Sequence, residues 1–212
     1  MTVGITKNDL PSKKYQNELE NVIHYKEAEQ NMEGDRLTTK LDFWSTVFPE
    51  HLYNYINNYI SGWSPDNKEK RCRDLNYILD FILKSIKAKE KTNSLISYKL
   101  IESYINNAAK MYLRPWSEEC ERNSKLSEHN DDIENMKKID DLCEDIAYIK
   151  EKISEIHSND CNEIESYFNQ QITDLQTIYT NSQTKYYPIL KHYNFNSFDD
   201  FNSTITDLKS KC

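Results

Sequence analysis

The five cysteines and five histidines are the residues of this 212-residue chain best suited to chemistry. The cysteines are Cys72, Cys120, Cys143, Cys161 and Cys212. None forms a CxxC pair and no histidine lies at zinc-finger spacing, so a structural zinc site is not expected. The cysteines are therefore expected to form disulfides or to remain as buried thiols. Because their number is odd, at least one must stay reduced or pair outside this chain.

Helix geometry restricts which cysteines can meet, because a disulfide requires Cα atoms within about 7 Å. Cys72 begins a predicted helix and Cys120 follows the antiparallel helix that returns to the same end, so these two are well placed to bond. Cys161 opens one helix and Cys212 closes a later one, which makes them a second candidate pair. Pairing Cys143 with Cys161 is disfavoured, since an unbroken helical hairpin would separate them by roughly 20 Å. Cys143 is therefore either a buried thiol or part of a third bridge.

Sequence motifs for catalysis and cofactor binding are missing. With 3 glycines in the chain there is no phosphate-binding loop, and no GxSxG, HExxH or EF-hand pattern occurs. The histidines are scattered, at His24, His51, His129, His157 and His192. A nucleophile built from Cys161 and His157 lacks an orienting third group, and the glutamates of residues 118–121 are most simply solvated charges. We therefore expect no enzymatic activity, no cofactor and no metal.

Helices must position these residues, and the most apolar helix is predicted over residues 72–89. Its apolar residues recur at three- and four-residue spacing: Leu75, Ile78, Leu79, Ile82, Leu83 and Ile86. This spacing places a wide apolar stripe on one face of the helix. Upstream, Ser64 and Pro65 supply an N-cap and a first-turn proline. We expect this segment to be the central helix of the core.

The same periodicity predicts about seven helices in all. They begin near residues 11, 37, 72, 94, 132, 160 and 197. Residues 1–10 are predicted to form a flexible arm, and residues 113–131 and 182–196 to form loops. The sequence therefore predicts an all-α fold, a single-domain helical bundle over residues 1–212 that is stabilised by disulfides.

Charge and hydropathy exclude some partners. The net charge of −8 disfavours nucleic acid, because phosphate contacts need a basic surface. No run approaches the roughly 18 apolar residues of a membrane span, and the first residues do not form an ordinary signal peptide. The chain is therefore intracellular, exported by an unusual route, or a portion of a longer protein.

Partner contact is expected first at residues 113–131 and then at residues 182–196, because loops carry binding on a rigid scaffold. The candidate contact residues are Arg114, Trp116, Tyr186, Tyr187, Tyr193 and Phe195. Arginine and aromatic side chains are enriched in protein interfaces. The alternative for the four aromatic residues of the second loop is that they cover the core beneath it.

Several short segments follow one another in a recognisable order. Leu10–Tyr15 reads LPSKKY, and Cys72–Asp80 reads CRDLNYILD. Cys120, the LCED sequence at Leu142–Asp145, and Cys161 follow in turn. This order and spacing resemble the Plasmodium interspersed repeat (PIR) family, in particular the Vir-type variant antigens of Plasmodium vivax, with their LPSxKFY-type opening and CxxLNYxLx segment. The resemblance covers roughly residues 8–180 of the sequence.

The resemblance implies a non-enzymatic variant antigen of the malaria-infected erythrocyte, membrane-anchored with an exposed helical ectodomain. It further implies a host cell-surface or immune receptor as partner, cytoadherence and immune evasion. The membrane segment and tail of that family are expected to lie outside these 212 residues, and we expect a monomer. Two features depart from the family pattern: no cysteine precedes Cys72, and no RxLx[EDQ] export motif is present.

A second hypothesis is an intracellular helical scaffold, or an exported protein that remodels the host cell, with reduced cysteines. Oxidised cysteines would favour the surface antigen, because disulfides persist in oxidising compartments.

Overall fold

The computed structural model describes residues 4–33, 40–89, 95–126 and 132–212, and the regular structure in these ranges is entirely helical. The α-helices are α1 (Pro11–Val22), α2 (Tyr25–Met32), α3 (Phe48–Tyr59), α4 (Lys68–Ala88), α5 (Leu95–Leu113), α6 (Ile133–Lys152), α7 (Ser158–Asn181), α8 (Gln183–His192) and α9 (Phe201–Lys211). Short 3₁₀ turns lie at Lys7–Asp9, Ile60–Gly62, Arg114–Trp116, Ile153–Glu155 and Phe198–Asp200, and a π-helical turn at Phe43–Val47. The predicted all-α, disulfide-stabilised fold is confirmed.

The chain divides into two compact units. The central unit is Gln16–Ile133, and the terminal unit combines Met1–Tyr15 with Glu134–Cys212. Helices α2 to α5 belong to the central unit, and α7 to α9 belong to the terminal unit. The organisation of residues 1–212 as a single domain stays a prediction.

Helix α4 is the centre of the hydrophobic core of the central unit, as predicted. All six residues of the predicted apolar stripe are at most 1% exposed, and they lie in one cluster with buried residues of α3 and α5. The helix begins at Lys68 rather than at the predicted cap. Ser64 instead belongs to a turn, in which its carbonyl accepts hydrogen bonds from the N–H groups of Asn67 and Lys68.

A disulfide and two hydrogen bonds hold the end of the last helix, α9, within the terminal unit. Cys161 at the start of α7 and Cys212 after α9 form a disulfide with a Cα–Cα distance of 5.6 Å. Lys211 donates to the backbone carbonyls of Ile153 and Ser154, at 2.7 and 2.8 Å. Cys143 in α6 is buried and belongs to neither disulfide.

The flexible arm predicted for residues 1–10 is wrong for residues 4–10; residues 1–3 lie outside the described part of the chain. Ile5 is 7% exposed and Leu10 is fully buried. Thr6 and Asp9 form a reciprocal capping box around the first 3₁₀ turn, with the Thr6 N–H donating to Asp9 at 2.9 Å. The buried side chains of Ile5 and Leu10 and the capped turn therefore order this segment. Its composition alone is typical of a flexible terminus.

The helix predicted from residue 11 is broken at His24. This residue adopts the left-handed conformation, with φ 53° and ψ 49°, and α2 begins after it. Histidine is one of the few non-glycine residues that enter this region at moderate cost. Because the left-handed residue is a histidine and not a glycine, the break cannot be recognised from residue type alone.

Replacing Leu79 with alanine is expected to destabilise the central unit by about 2–5 kcal/mol, because a fully buried leucine leaves a cavity. The matched control is Leu100→Ala in α5, where the leucine is 39% exposed. In chemical denaturation followed by circular dichroism, the unfolding midpoint of the first variant should be much lower than that of the parent chain. The midpoint of the second variant should change little. Equal effects would contradict the placement of α4 in the core.

Candidate functional site

The segment after α5 is the first predicted region of partner contact, and the structure describes it as far as Leu126. Helix α5 ends at Leu113, Arg114–Trp116 form a 3₁₀ turn, and residues 120–125 have no regular structure. Residues 127–131 of the predicted loop lie outside the described residues. We call residues 117–126 the strap.

A disulfide fixes the strap to the first turns of α4. Cys72 and Cys120 are bonded, with a Cα–Cα distance of 5.3 Å, and the pairing predicted from the sequence is therefore present. The bond holds α4 and the strap in contact at two residues that are 48 positions apart in the sequence. The covalent link restricts the conformations open to the segment that follows α5.

A buried ion pair holds the next part of the strap against α4. The guanidinium of Arg122 donates to the carboxylate of Asp80, and both side chains are 1% exposed. The same guanidinium donates to the side-chain oxygens of Asn76, at 3.0 Å, and Asn106, at 2.9 Å. A buried arginine needs such partners, because an uncompensated charge in the protein interior is strongly unfavourable.

Asp80 and Asn76 also bind the backbone of the strap. Asp80 accepts hydrogen bonds from the Ser124 hydroxyl and the Lys125 N–H, both at 2.8 Å. The Asn76 amide donates to the Glu121 carbonyl at 3.0 Å, and its oxygen accepts from the Asn123 N–H at 2.7 Å. The strap therefore has an ordered backbone although it has no regular secondary structure.

A shallow cleft of about 290 Å³ lies where α5 meets the strap. It is lined by Lys110, Leu113, Arg114, Ser117, Cys120, Glu121 and Arg122. Lys110 and Arg114 are exposed cations, whereas Arg122 is already paired with Asp80. Since Glu121 offsets one of the two exposed charges, the rim of the cleft is weakly basic and suits an acidic group on a partner.

The structure separates the two candidate contact residues of this region. Arg114 is exposed and lines the cleft. Trp116 is partly buried and packs against the core of the central unit. One side chain is therefore available to a partner, and the other mainly supports the turn that presents it.

The loop predicted for residues 182–196 is wrong over most of its length, because Gln183–His192 form helix α8 with Pro188 inside it. Tyr186, at 1% exposure, and Phe195, at 2%, are buried in the terminal unit. Burial of these rings, with Ile189 and Leu190, stabilises a helix that Pro188 alone would disfavour. Tyr186 and Phe195 are thus core residues, as the alternative interpretation held.

The other two aromatic candidates differ in their surroundings. Tyr193 is half-buried and donates its hydroxyl to the buried carboxylate of Asp140 at 2.7 Å. Tyr187 is 44% exposed, with the Lys191 ammonium 5.7 Å from the centre of its ring. Tyr187 is therefore the one member of this aromatic group with a largely accessible ring.

A buried carboxylate in the terminal unit has an unusual protonation equilibrium. Burial raises the pKa of Asp145 to about 7, and hydrogen bonds from Ser12 oppose this rise. The Ser12 N–H and hydroxyl lie 2.9 and 2.6 Å from its two oxygens. Tyr167 lies in the same cluster, and the pKa of its hydroxyl is raised by burial and by the charge of Asp145.

The residues considered for catalysis do not form an active site among the described parts of the chain. Cys161 is bonded to Cys212 and so offers no thiolate next to His157. Glu118 and Glu121 are exposed. The structure does bring together three residues that the sequence analysis did not connect: His24, Glu27 and His51.

Comparisons with known proteins leave the function open. No protein-family model matches the chain, and neither curated proteins nor solved structures give a significant match. Within the described residues, no helix is both long enough and apolar enough to cross a membrane.

Sequence reasoning missed the Asp80 and Arg122 pair, although α4 carries a signal for it. Asn76 and Asp80 are four residues apart in a helix whose residues 74–80 are all buried. Two polar residues at this spacing share one face of a helix, so a polar partner from another segment is required there.

Replacing Asp80 with alanine is expected to destabilise the central unit by about 3–5 kcal/mol, because it leaves the buried Arg122 without its carboxylate. Hydrogen exchange should also become faster at residues 120–125, whose backbone Asp80 binds. The matched control is Asp66→Ala, at an exposed position before α4. Unchanged exchange in the strap would contradict its anchoring by Asp80.

Asp145 is expected to make stability depend on pH between about 4 and 7. Its folded pKa lies above the ordinary value of about 3.9, so its contribution is fully present below about pH 4 and is lost as pH rises to 7. Unfolding midpoints measured across this range should fall less in Asp145→Asn than in the parent chain. The exposed Asp174→Asn serves as the control, and parallel curves for all three proteins would refute the assignment.

Proposed function

We propose that this chain is the host-facing binding domain of a variant surface antigen of the PIR type, displayed on the malaria-infected erythrocyte through a membrane anchor. Its partner is a host cell-surface or immune receptor, and its roles are cytoadherence and immune evasion without enzymatic activity. The observation that carries the proposal is the strap: a segment without regular structure at residues 120–125 that presents some exposed side chains and is held in one conformation by a disulfide and a buried ion pair.

The two disulfides support a surface location. Disulfides form and persist in oxidising environments and are rare in the reducing cytosol. The pairs Cys72–Cys120 and Cys161–Cys212 each close a loop of about fifty residues, with separations of 48 and 51. Cross-links that close loops of this length stabilise a folded domain by restricting the unfolded chain.

The ordered strap supports binding as the activity. A loop that is already fixed loses little conformational entropy when a partner binds, so more of the contact energy appears as affinity. Lys110 and Arg114 are exposed and line the cleft, and Met111, next to Lys110 in the sequence, is 60% exposed. Arginine and methionine are enriched in interfaces, and variable side chains can be exchanged around such a scaffold without altering its anchor.

The competing function is an intracellular helical scaffold or a host-cell remodelling protein. It requires five reduced cysteines, whereas the surface antigen requires two disulfides and one thiol. Intact mass with and without reduction and alkylation separates these two states. Peptide mapping then identifies the bridges.

Binding to a panel of host cell-surface and immune receptors tests the proposal directly. We expect the oxidised chain to retain at least one receptor, and the double variant Lys110→Ala with Arg114→Ala to bind it at least about tenfold more weakly. The control is Lys209→Ala, an exposed cation of α9 in the terminal unit. Surface plasmon resonance gives the dissociation constants.

A second double variant tests the role of the strap. Joint replacement of Cys72 and Cys120 by serine should weaken binding while the helical circular dichroism spectrum is kept. Two results would overturn the proposal: five thiols in carefully oxidised material, or no receptor retained by the disulfide-bonded chain.

A further inference from the structure

We propose that His24, Glu27 and His51 form a binding site for a zinc ion in the central unit. The three side chains each offer one ligand atom, and these atoms all lie within 4.8 Å of one another. The site joins the start of α2 to the first turn of α3, and it is independent of the receptor-binding surface proposed above.

The ligand atoms are close to the separations that a metal ion requires. Zinc binds nitrogen and oxygen ligands at about 2.0–2.2 Å in a tetrahedral arrangement, which places neighbouring ligands about 3.4 Å apart. The His51 Nε2 and Glu27 Oε2 atoms already lie at 3.2 Å. The His24 ring is exposed, so a rotation of this side chain can complete the set.

The two imidazole rings are held next to each other. Their centroids are 4.0 Å apart, and their planes differ by 17°. Two neutral imidazoles and one carboxylate are a ligand set that zinc uses where it keeps an open fourth position for water. Calcium and magnesium prefer oxygen ligands and six or more of them, so this donor set selects against both.

The backbone places His24 and Glu27 in a fixed relation. His24 has the left-handed conformation, and its carbonyl accepts hydrogen bonds from the N–H groups of Glu27, at 2.9 Å, and Ala28, at 3.1 Å. This local strain turns the chain between α1 and α2 and leaves His24 one helical turn before Glu27. Backbone strain that is retained in a folded protein often marks a functional position.

The site should tie two helices together when it is occupied. His51 lies in α3, whereas His24 and Glu27 lie at the beginning of α2. A metal that binds the folded chain and not the unfolded one stabilises the fold in proportion to the logarithm of its concentration. The expected effect of zinc is therefore a rise in thermal stability of the central unit.

Isothermal titration of zinc chloride into the oxidised chain, without a histidine tag and freed of metal by chelation, tests the site. We expect one ion per chain and a higher unfolding temperature. Cobalt(II) should give the visible absorption bands of tetrahedral coordination. Calcium chloride, as a control titrant, should give neither heat of binding nor stabilisation.

Substitutions locate the ion. His51→Ala and Glu27→Gln are each expected to weaken zinc binding by more than about tenfold, since loss of even a supporting group around a metal costs that much. His24→Asn should do the same while tolerating the left-handed backbone. Their controls are His192→Ala in the terminal unit and Glu29→Gln, exposed on the same helix as Glu27.

Three results would overturn the proposal. One is the absence of zinc binding to the parent chain. Another is unchanged binding in His51→Ala, measured together with a circular dichroism spectrum that shows a folded protein. The third is a loss of binding in Cys143→Ser or His192→Ala, which would place the ion elsewhere.

Discussion

A helix that is buried along most of its length must satisfy its polar side chains inside the protein, and α4 imposes this requirement on the central unit. Residues 74–80 are all buried, and three of them are polar: Asp74, Asn76 and Asp80. Lys70 and Arg71 lie in the preceding turn and form ion pairs with Asp74. Asn76 donates to the Cys72 carbonyl one turn before it, and both Asn76 and Asp80 bind the strap. The position of the strap therefore follows from the need to compensate a buried carboxylate and a buried amide.

Two buried carboxylates show how surroundings decide the behaviour of one residue type. Asp80 faces a guanidinium, so its negative charge is balanced within the core of the central unit. Asp145 faces a hydroxyl and a backbone N–H, with Asp141 and Glu144 nearby, and these carboxylates raise its pKa further. The first arrangement fixes a loop through the ion pair with Arg122 and the hydrogen bonds to Ser124 and Lys125. The second favours the protonated acid near neutral pH and makes the terminal unit sensitive to acidity.

Most of the helices could be predicted from the helical periodicity of apolar residues, because in a chain with few glycines an apolar stripe such as that of α4 indicates a buried helix face. The two disulfides followed from helix ends that had to meet. Two features had no local signal, and a third, the partner of Arg122, had only the polar residues of α4 as a signal. The break at His24 depends on a residue that only occasionally adopts positive φ, and α8 depends on tertiary burial that outweighs Pro188. The binding partner of Arg122 lies 42 residues away, a distance that periodicity does not bridge.

The order of the two units along the chain has a consequence for how such sequences can diversify. Gln16–Ile133 is continuous, and in the sequence it lies between the two segments of the terminal unit. Each disulfide lies wholly within one unit, so both cysteines of a pair are inherited on the same side of either boundary. Recombination that exchanged the central unit between related genes would carry Cys72, Cys120 and the strap together. New surface chemistry could thus be acquired without creating a mismatched cysteine.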